Sequence, residues 1–342
     1  MHKDIKKRGM KLSSMYPIFD TSMLQLNPIS LRKSNVGLPD ILSLEPKRIL
    51  HKNIESVAHS IVQAKKKDST VLMMIGAHVL RSGVQRYLID LMEQGYISCI
   101  AMNGACTIHD FEFALIGKTT ESVGKYIKDG RFGNWEETSR INDIVRQGAK
   151  EGLGLGEAIG KAIEQSDFPH KDISILASGY RLGVLLTVHV GIGYDITHQH
   201  PNFDGSAYGS TSYVDFLRFA KTLEKLEGGV VMNFGSAVMA PEVFLKALSM
   251  VRNVSRQQGK SISNFTTLVC DLHSLPADYH DEAPKESEGY YFRPWKTMLV
   301  RTVADGEKVT TLKGAMQKQS QPCGQQSMPS GKNRIKVEIE NR

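Results

Sequence analysis

His78 and His109 each follow the end of an apolar run, and His109-Asp110 with Glu112 gathers three ionisable groups into one turn. Histidine exchanges protons near neutral pH, so both positions suit general acid–base catalysis. The plainer reading is that Asp110 and Glu112 favour a helix N-terminus electrostatically. The segment HVGIGYDITHQHPNFDG, residues 189–205, holds Asp195, His198, His200 and Asp204. His-x-His with a nearby Asp could bind a divalent metal such as zinc, since alternate residues of a strand share a face. Pro201, Asn202 and Gly205 suggest a loop instead, and then a polar lining for a ligand cleft. Lys296 follows Trp295 and, if desolvated, could act as a nucleophile. A surface lysine covering the indole is the commoner arrangement.

Glycines offer a second kind of chemistry. Gly76-Ala77-His78 and Asn103-Gly104-Ala105 each close an apolar run and precede a helical pattern. Free N–H groups and the helix dipole favour phosphate there, which makes Gly76 and Gly104 cofactor candidates. EGLGLGEAIG, residues 151–160, lacks the preceding strand that a dinucleotide fingerprint needs and reads as a helix break. Gly235-Ser236 follows another apolar run and suits backbone contact to a ligand. Ser236 lacks the Gly-x-Ser-x-Gly elbow of a hydrolase nucleophile.

These residues need strands and helices to bring them together. Val71 to Ala77 is apolar without interruption, as in a strand covered on both faces. Val84, Tyr87, Leu88, Leu91 and Met92 then recur at helical spacing up to Gly95, and Ile97 to Met102 is a second buried strand. Thr107 is the expected N-cap of the next helix, which runs to Gly117. Further helices are expected over residues 51–65, 136–150, 156–165, 213–227 and 242–254, the last with Pro241 in its first turn. Further strands are expected over residues 173–178, 185–191, 229–234 and 266–272. Strands alternating with amphipathic helices predict an α/β fold with a doubly wound, mostly parallel sheet of about six strands. Residues 1–50 read as an extended arm, 51–303 as one α/β domain, and 304–342 as a polar, disordered tail.

Composition bounds the function. Of the net charge of +7, both ends carry an excess of Lys and Arg: five against one Asp in residues 1–11, and six against two Glu in residues 313–342. The body between them is near neutral, so nucleic-acid binding by it is not expected. No apolar run reaches the length of a membrane helix, and no secretory signal is expected. Four cysteines without CxxC pairing read as reduced thiols of a cytoplasmic protein.

The chain resembles the deoxyhypusine synthase family over about residues 50–300. Residues 77–83, AHVLRSG, look like that family's SNLISSG loop. Residues 102–110, MNGACTIHD, sit where the family has TTAGGVEED, and 229–239, GVVMNFGSAVM, are similar to GMIILGGGVVK. The resemblance implies a Rossmann-like sheet, a homotetramer, and NAD bound around His78, Ser82, Asn103, Gly104 and Gly235. It also implies transfer of an aminobutyl group through a lysine imine. The family's paired acids fall on Ile108 and His109, its Lys-His on Met239-Ala240, and Trp295-Lys296 lacks the glycine of its Trp-Gly-Lys motif. Burying a polyammonium without paired carboxylates is costly, which argues against deoxyhypusine formation itself. The leading expectation is a deoxyhypusine synthase-like protein that binds NAD or a related nucleotide. It would act on a small substrate with His109, His78, Asp195 and Lys296. The alternatives are a metal-dependent hydrolase or lyase built on Asp195, His198, His200 and Asp204, and a non-catalytic ligand-binding or scaffolding protein.

Overall fold

The computed structural model describes residues 16–45, 52–273, 275, 279, 281–303 and 309–313. Strands run over Ser34–Gly37 (β1), Val71–Ile75 (β2), Cys99–Asn103 (β3), Lys118–Glu121 (β4), Leu185–His189 (β5), Val230–Phe234 (β6), Thr266–Asp271 (β7) and Val309–Lys313 (β8). The helices are Lys52–Lys66 (α1), Ala77–Arg81 (α2), Gln85–Glu93 (α3), Gly104–Ile116 (α4), Val123–Tyr126 (α5) and Glu136–Glu151 (α6). After them come Leu155–Glu164 (α7), Ile175–Leu182 (α8), Gly205–Leu223 (α9) and Met239–Gln257 (α10).

Six strands form one sheet in the order β5-β3-β2-β6-β7-β8, all parallel. Counted along the chain this is 3-2-1-4-5-6, the order of a dinucleotide-binding Rossmann sheet. The reason lies in β2, whose five residues are all buried. Val71, Met73 and Ile75 pack on one side with α3, α4 and α6 to α8. Leu72 and Met74 pack on the other with α9, α10 and the π-helical segment Pro294–Arg301. Alternation between two apolar faces is what covering a sheet on both sides requires.

Three expectations are corrected. Residues 173–178 are not a strand: Ser174 caps α8 by accepting from the Ala177 N–H. Asp110, wholly enclosed, accepts from Ser174 Oγ at 2.5 Å and from the N–H groups of Ile175 and Leu176 at 2.9 and 3.1 Å. A carboxylate at that end favours helix over strand. Thr107 is not an N-cap, because α4 starts three residues earlier with Asn103 in the capping position. The sixth strand of the sheet is β8, in a stretch read as tail; the rest of that tail and residues 1–15 lie outside the described residues.

The arm is tied down. β1 pairs antiparallel with β4. Arg32 forms a two-pronged pair with Glu112 of α4 at 2.7 and 2.9 Å, and both side chains are 1% exposed. Removing one partner leaves the other charge buried and unpaired. Arg32→Ala is therefore expected to lower stability by about 3–5 kcal/mol in denaturant unfolding. A change within experimental error would mean that the pair is not buried as described.

Candidate functional site at the carboxyl ends of the strands

Because the strands are parallel and in register, Ile75, Met102, Val188, Phe234 and Cys270 lie in a row, and every following loop opens on one edge. From β2 the chain winds outward through β3 to β5, then returns across the sheet to β6. The edge between β2 and β6 is therefore the switch point, where open α/β sheets take their ligands. Gly76 and Gly235 meet there. A Cβ on Gly76 would lie 2.4 Å from Gly235 O, and Gly235 has φ +63°, which favours glycine. Gly76 N–H donates to Phe234 O, and Gly235 N–H to Cys270 O, each at 3.0 Å. Asn233, wholly buried, clamps the second loop: its Oδ1 accepts from Ser236 N–H at 3.2 Å and its Nδ2 donates to Ser236 O at 3.0 Å. Ser236 Oγ accepts from the Ala240 N–H at the start of α10. The Ser82 hydroxyl likewise bonds inside its own turn, to Val79 O. Four exposed apolar side chains stand on this rim: Ile192 and Tyr194 after β5, Val238 after β6 and Leu272 after β7.

His78 and His109 are neighbours across α2 and α4. His78 is exposed, with Nε2 3.0 Å from an Nη of Arg81. Partial desolvation of its ring, and then the Arg81 charge, lower its pKa. Arg81 Nε is enclosed without a hydrogen-bond partner among the described residues. His109 is half-buried, with Nδ1 2.8 Å from Thr119 Oγ1. Burial pushes its imidazole down to about 4; Glu112 opposes this, while Arg81, His78 and Arg32 add to it. His109 is therefore a neutral base at pH 7.

Asp195 sits at the other side of the α4 entrance. A Cβ on Gly104 would lie 2.0 Å from Asp195 Oδ2, so glycine there makes room for the carboxylate. Burial pushes Asp195 up to about 6. His198 Nδ1 accepts from the N–H groups of Gly193 and Asp195 at 3.0 and 3.2 Å. That leaves its proton on Nε2, which has no hydrogen-bond partner among the described residues and lies 3.8 Å from Asp195 Oδ2. The His198 Nε2 proton thus faces the Asp195 carboxyl, which is mostly ionised at pH 7.

The proposed metal ligands do not converge. Ile196–Gln199 is a short 3-10 turn rather than a strand, and His200 Nε2 reaches Gly133 O at 2.6 Å. Asp204 is spent capping α9, accepting from Ser206 and Ala207 N–H. No group of three or more His, Cys, Asp or Glu side chains among the described residues is set to hold a metal. Lys296 stacks over the Tyr290 ring and lies 3.7 Å from Glu282 Oε2, both on the segment after β7. These contacts do not join it to the histidines. The sequence missed Arg32, Arg81, Thr119 and Glu121. Glu121 Oε1 accepts from Gly133 N–H and Trp135 Nε1, each at 3.0 Å.

Residues 55–165 match the model of one family, described as the C-terminal Rossmann-fold domain of arginine dihydrolase ArgZ-like proteins. The ornithine cyclodeaminase of Archaeoglobus fulgidus is 27% identical over 113 residues, which are 32% of this chain and 26% of that protein. Among solved structures, AgrE in complex with ornithine and NAD+ aligns with TM-score 0.39 and 15% identity, over 75% of this chain and 34% of AgrE. A putative deoxyhypusine synthase from Entamoeba histolytica aligns with TM-score 0.37 and 11% identity, over 64% of this chain and 78% of that one. Scores below 0.5 say nothing of function. The aligned part spans about a quarter of the ornithine cyclodeaminase and about a third of AgrE. The family-level match is thus to ArgZ-like proteins, not to deoxyhypusine synthase, and it takes in Gly76, His78, Asn103, Gly104 and His109.

Asp195 also gives a pH-dependent prediction. Its folded pKa of about 6 lies above the ordinary 3.8, so the folded state holds the proton longer than the unfolded chain does. Stability is lost as pH rises from 3.8 to about 6 and stays lost above it. Asp195→Asn is expected to match the native protein below that window and to exceed it by up to about 3 kcal/mol at pH 7. The check is denaturant unfolding at a series of pH values; a difference that does not change with pH would contradict the burial of this carboxyl.

Proposed function

We propose that this chain binds NAD in the crevice over Gly76 and Gly235 and acts on a small amino acid or amine of the ornithine kind. The observation that carries the reading is the contact of those two loops at the switch point of a 3-2-1-4-5-6 sheet. There backbone can approach a ligand without side chains in between. Asn103 ends β3, where dinucleotide-binding sheets commonly carry an acid for the ribose hydroxyls. An amide can both donate to and accept from such hydroxyls, and it does not repel a 2′-phosphate.

The ArgZ-like match supports the Rossmann domain as the ligand-binding part, and ornithine cyclodeaminase supplies the substrate class. An amino acid needs a cation for its carboxylate and an acceptor for its ammonium. The guanidinium of Arg81, beside His78, is our candidate for the first role, and Asp195, beside Gly104, for the second. His109, neutral at pH 7, can accept a hydrogen bond from the substrate. Aminobutyl transfer to a protein lysine is the less favoured reading. Ile108, buried and apolar, stands at a position of the resembled acid pair, and Lys296 is engaged with Glu282 and Tyr290.

Calorimetry with NAD+ and NADP+, followed by ornithine on the loaded protein, tests the proposal. Saturable NAD+ binding is expected, weakened at least about tenfold by Gly76→Val, whose side chain would push the Gly235 loop away (about 1.4 kcal/mol or more). No heat with either dinucleotide at millimolar concentration would overturn it.

A further inference from the structure

The polar groups behind His109 form a chain with a direction. Glu112 accepts four hydrogen bonds. Its Oε1 takes Arg32 Nη1 and Thr138 Oγ1, each at 2.7 Å, and its Oε2 takes Arg32 Nη2 at 2.9 Å and Thr119 Oγ1 at 2.8 Å. A carboxylate held by a guanidinium fork only accepts, so the Thr119 hydroxyl must give its one proton to Glu112. Thr119 Oγ1 can then only accept from His109 Nδ1, 2.8 Å away. Arg32, Glu112, Thr119 and Thr138 are all buried, so water has little room to reverse the pattern. Thr120, next in the strand, is held at φ 63°, which β-branched residues rarely adopt. Such strain persists only where the surroundings impose it.

We infer that Arg32, Glu112 and Thr119 lock His109 in its Nδ1–H form and so fix Nε2 as an acceptor for the ligand. Nε2 has no hydrogen-bond partner among the described residues and is not among the enclosed unpartnered atoms, so it keeps contact with solvent. A ligand meeting it must bring a donor: an ammonium, an amide N–H or a hydroxyl. His198 is fixed in the opposite sense, with its proton on Nε2. The α4 entrance thus holds one imidazole that only accepts and one that only donates. In this scheme Arg32, Glu112 and Thr119 are positioning residues, and His109 alone touches the ligand. Only the ligand's contact with Nε2 rests on the function proposed above; the lock itself is a property of the ligand-free protein.

The test is nitrogen-15 NMR of the imidazoles in ligand-free protein at pH 7, with His109 assigned by comparison with His109→Gln. Expected for His109 are a protonated Nδ1 and an unprotonated Nε2 in a single tautomer. Thr119→Val is expected to lose that preference and Thr119→Ser to keep it. Nε2–H as the major form in the native protein would overturn the lock, as would a Thr119→Val spectrum with unchanged tautomer populations. If Thr119→Val does not fold, the native and Thr119→Ser spectra decide alone. Adding NAD+ and ornithine is expected to move Nε2 more than Nδ1. A locked His109 with no response to either ligand would count against the proposed function while leaving the lock intact.

Discussion

The switch-point edge of the sheet depends on one backbone contact, Gly76 against Gly235. Two strands that neighbour each other in the sheet send their chains away in opposite senses, and the loops leaving them touch with no side chain between. A side chain on Gly76 would strike the Gly235 carbonyl, so the two loops can lie this close only because both are glycine. Neighbouring features hold the contact in place. Asn233 clamps Ser236, Ser236 Oγ holds the start of α10, and the all-apolar β2 fixes the height of Gly76 in the layer.

Around that contact the structure uses burial to set protonation. Asp195 is raised and His109 lowered by the same cause, removal from water: one carboxyl keeps its proton longer and one imidazole stays neutral. The N-terminal arm enters this chemistry through Arg32, which neutralises Glu112 inside the protein. A charge so placed costs desolvation, and its return lies in geometry rather than stability. It orients Thr119 and, through it, His109.

Much of the sheet was legible in the sequence because β2, β3, β6 and β7 are apolar on both faces and end in glycine or small polar residues. The strand expected over residues 173–178 failed because a short apolar run fits either state. What decided for helix was Asp110, whose carboxylate comes from a helix far back in the chain. β1 and β4 left no signal, being short and polar. The strand-end placement of the candidate residues Gly76, Asn103, Gly104 and Gly235 was legible. What depends on contacts across the chain was not. Arg32 finds Glu112 eighty residues on, and no local spacing announces such a pair. The suggested metal cluster failed for the same reason, since Asp204 and His200 are engaged by α9 and by Gly133.

In the binding mode we propose, NAD lies on the Gly76–Gly235 contact. A crystal structure of the protein grown with NAD+ tests it most directly. The pyrophosphate is expected over Gly76 and Gly235, with the ribose near Asn103. A dinucleotide seated anywhere else on the molecule would contradict it.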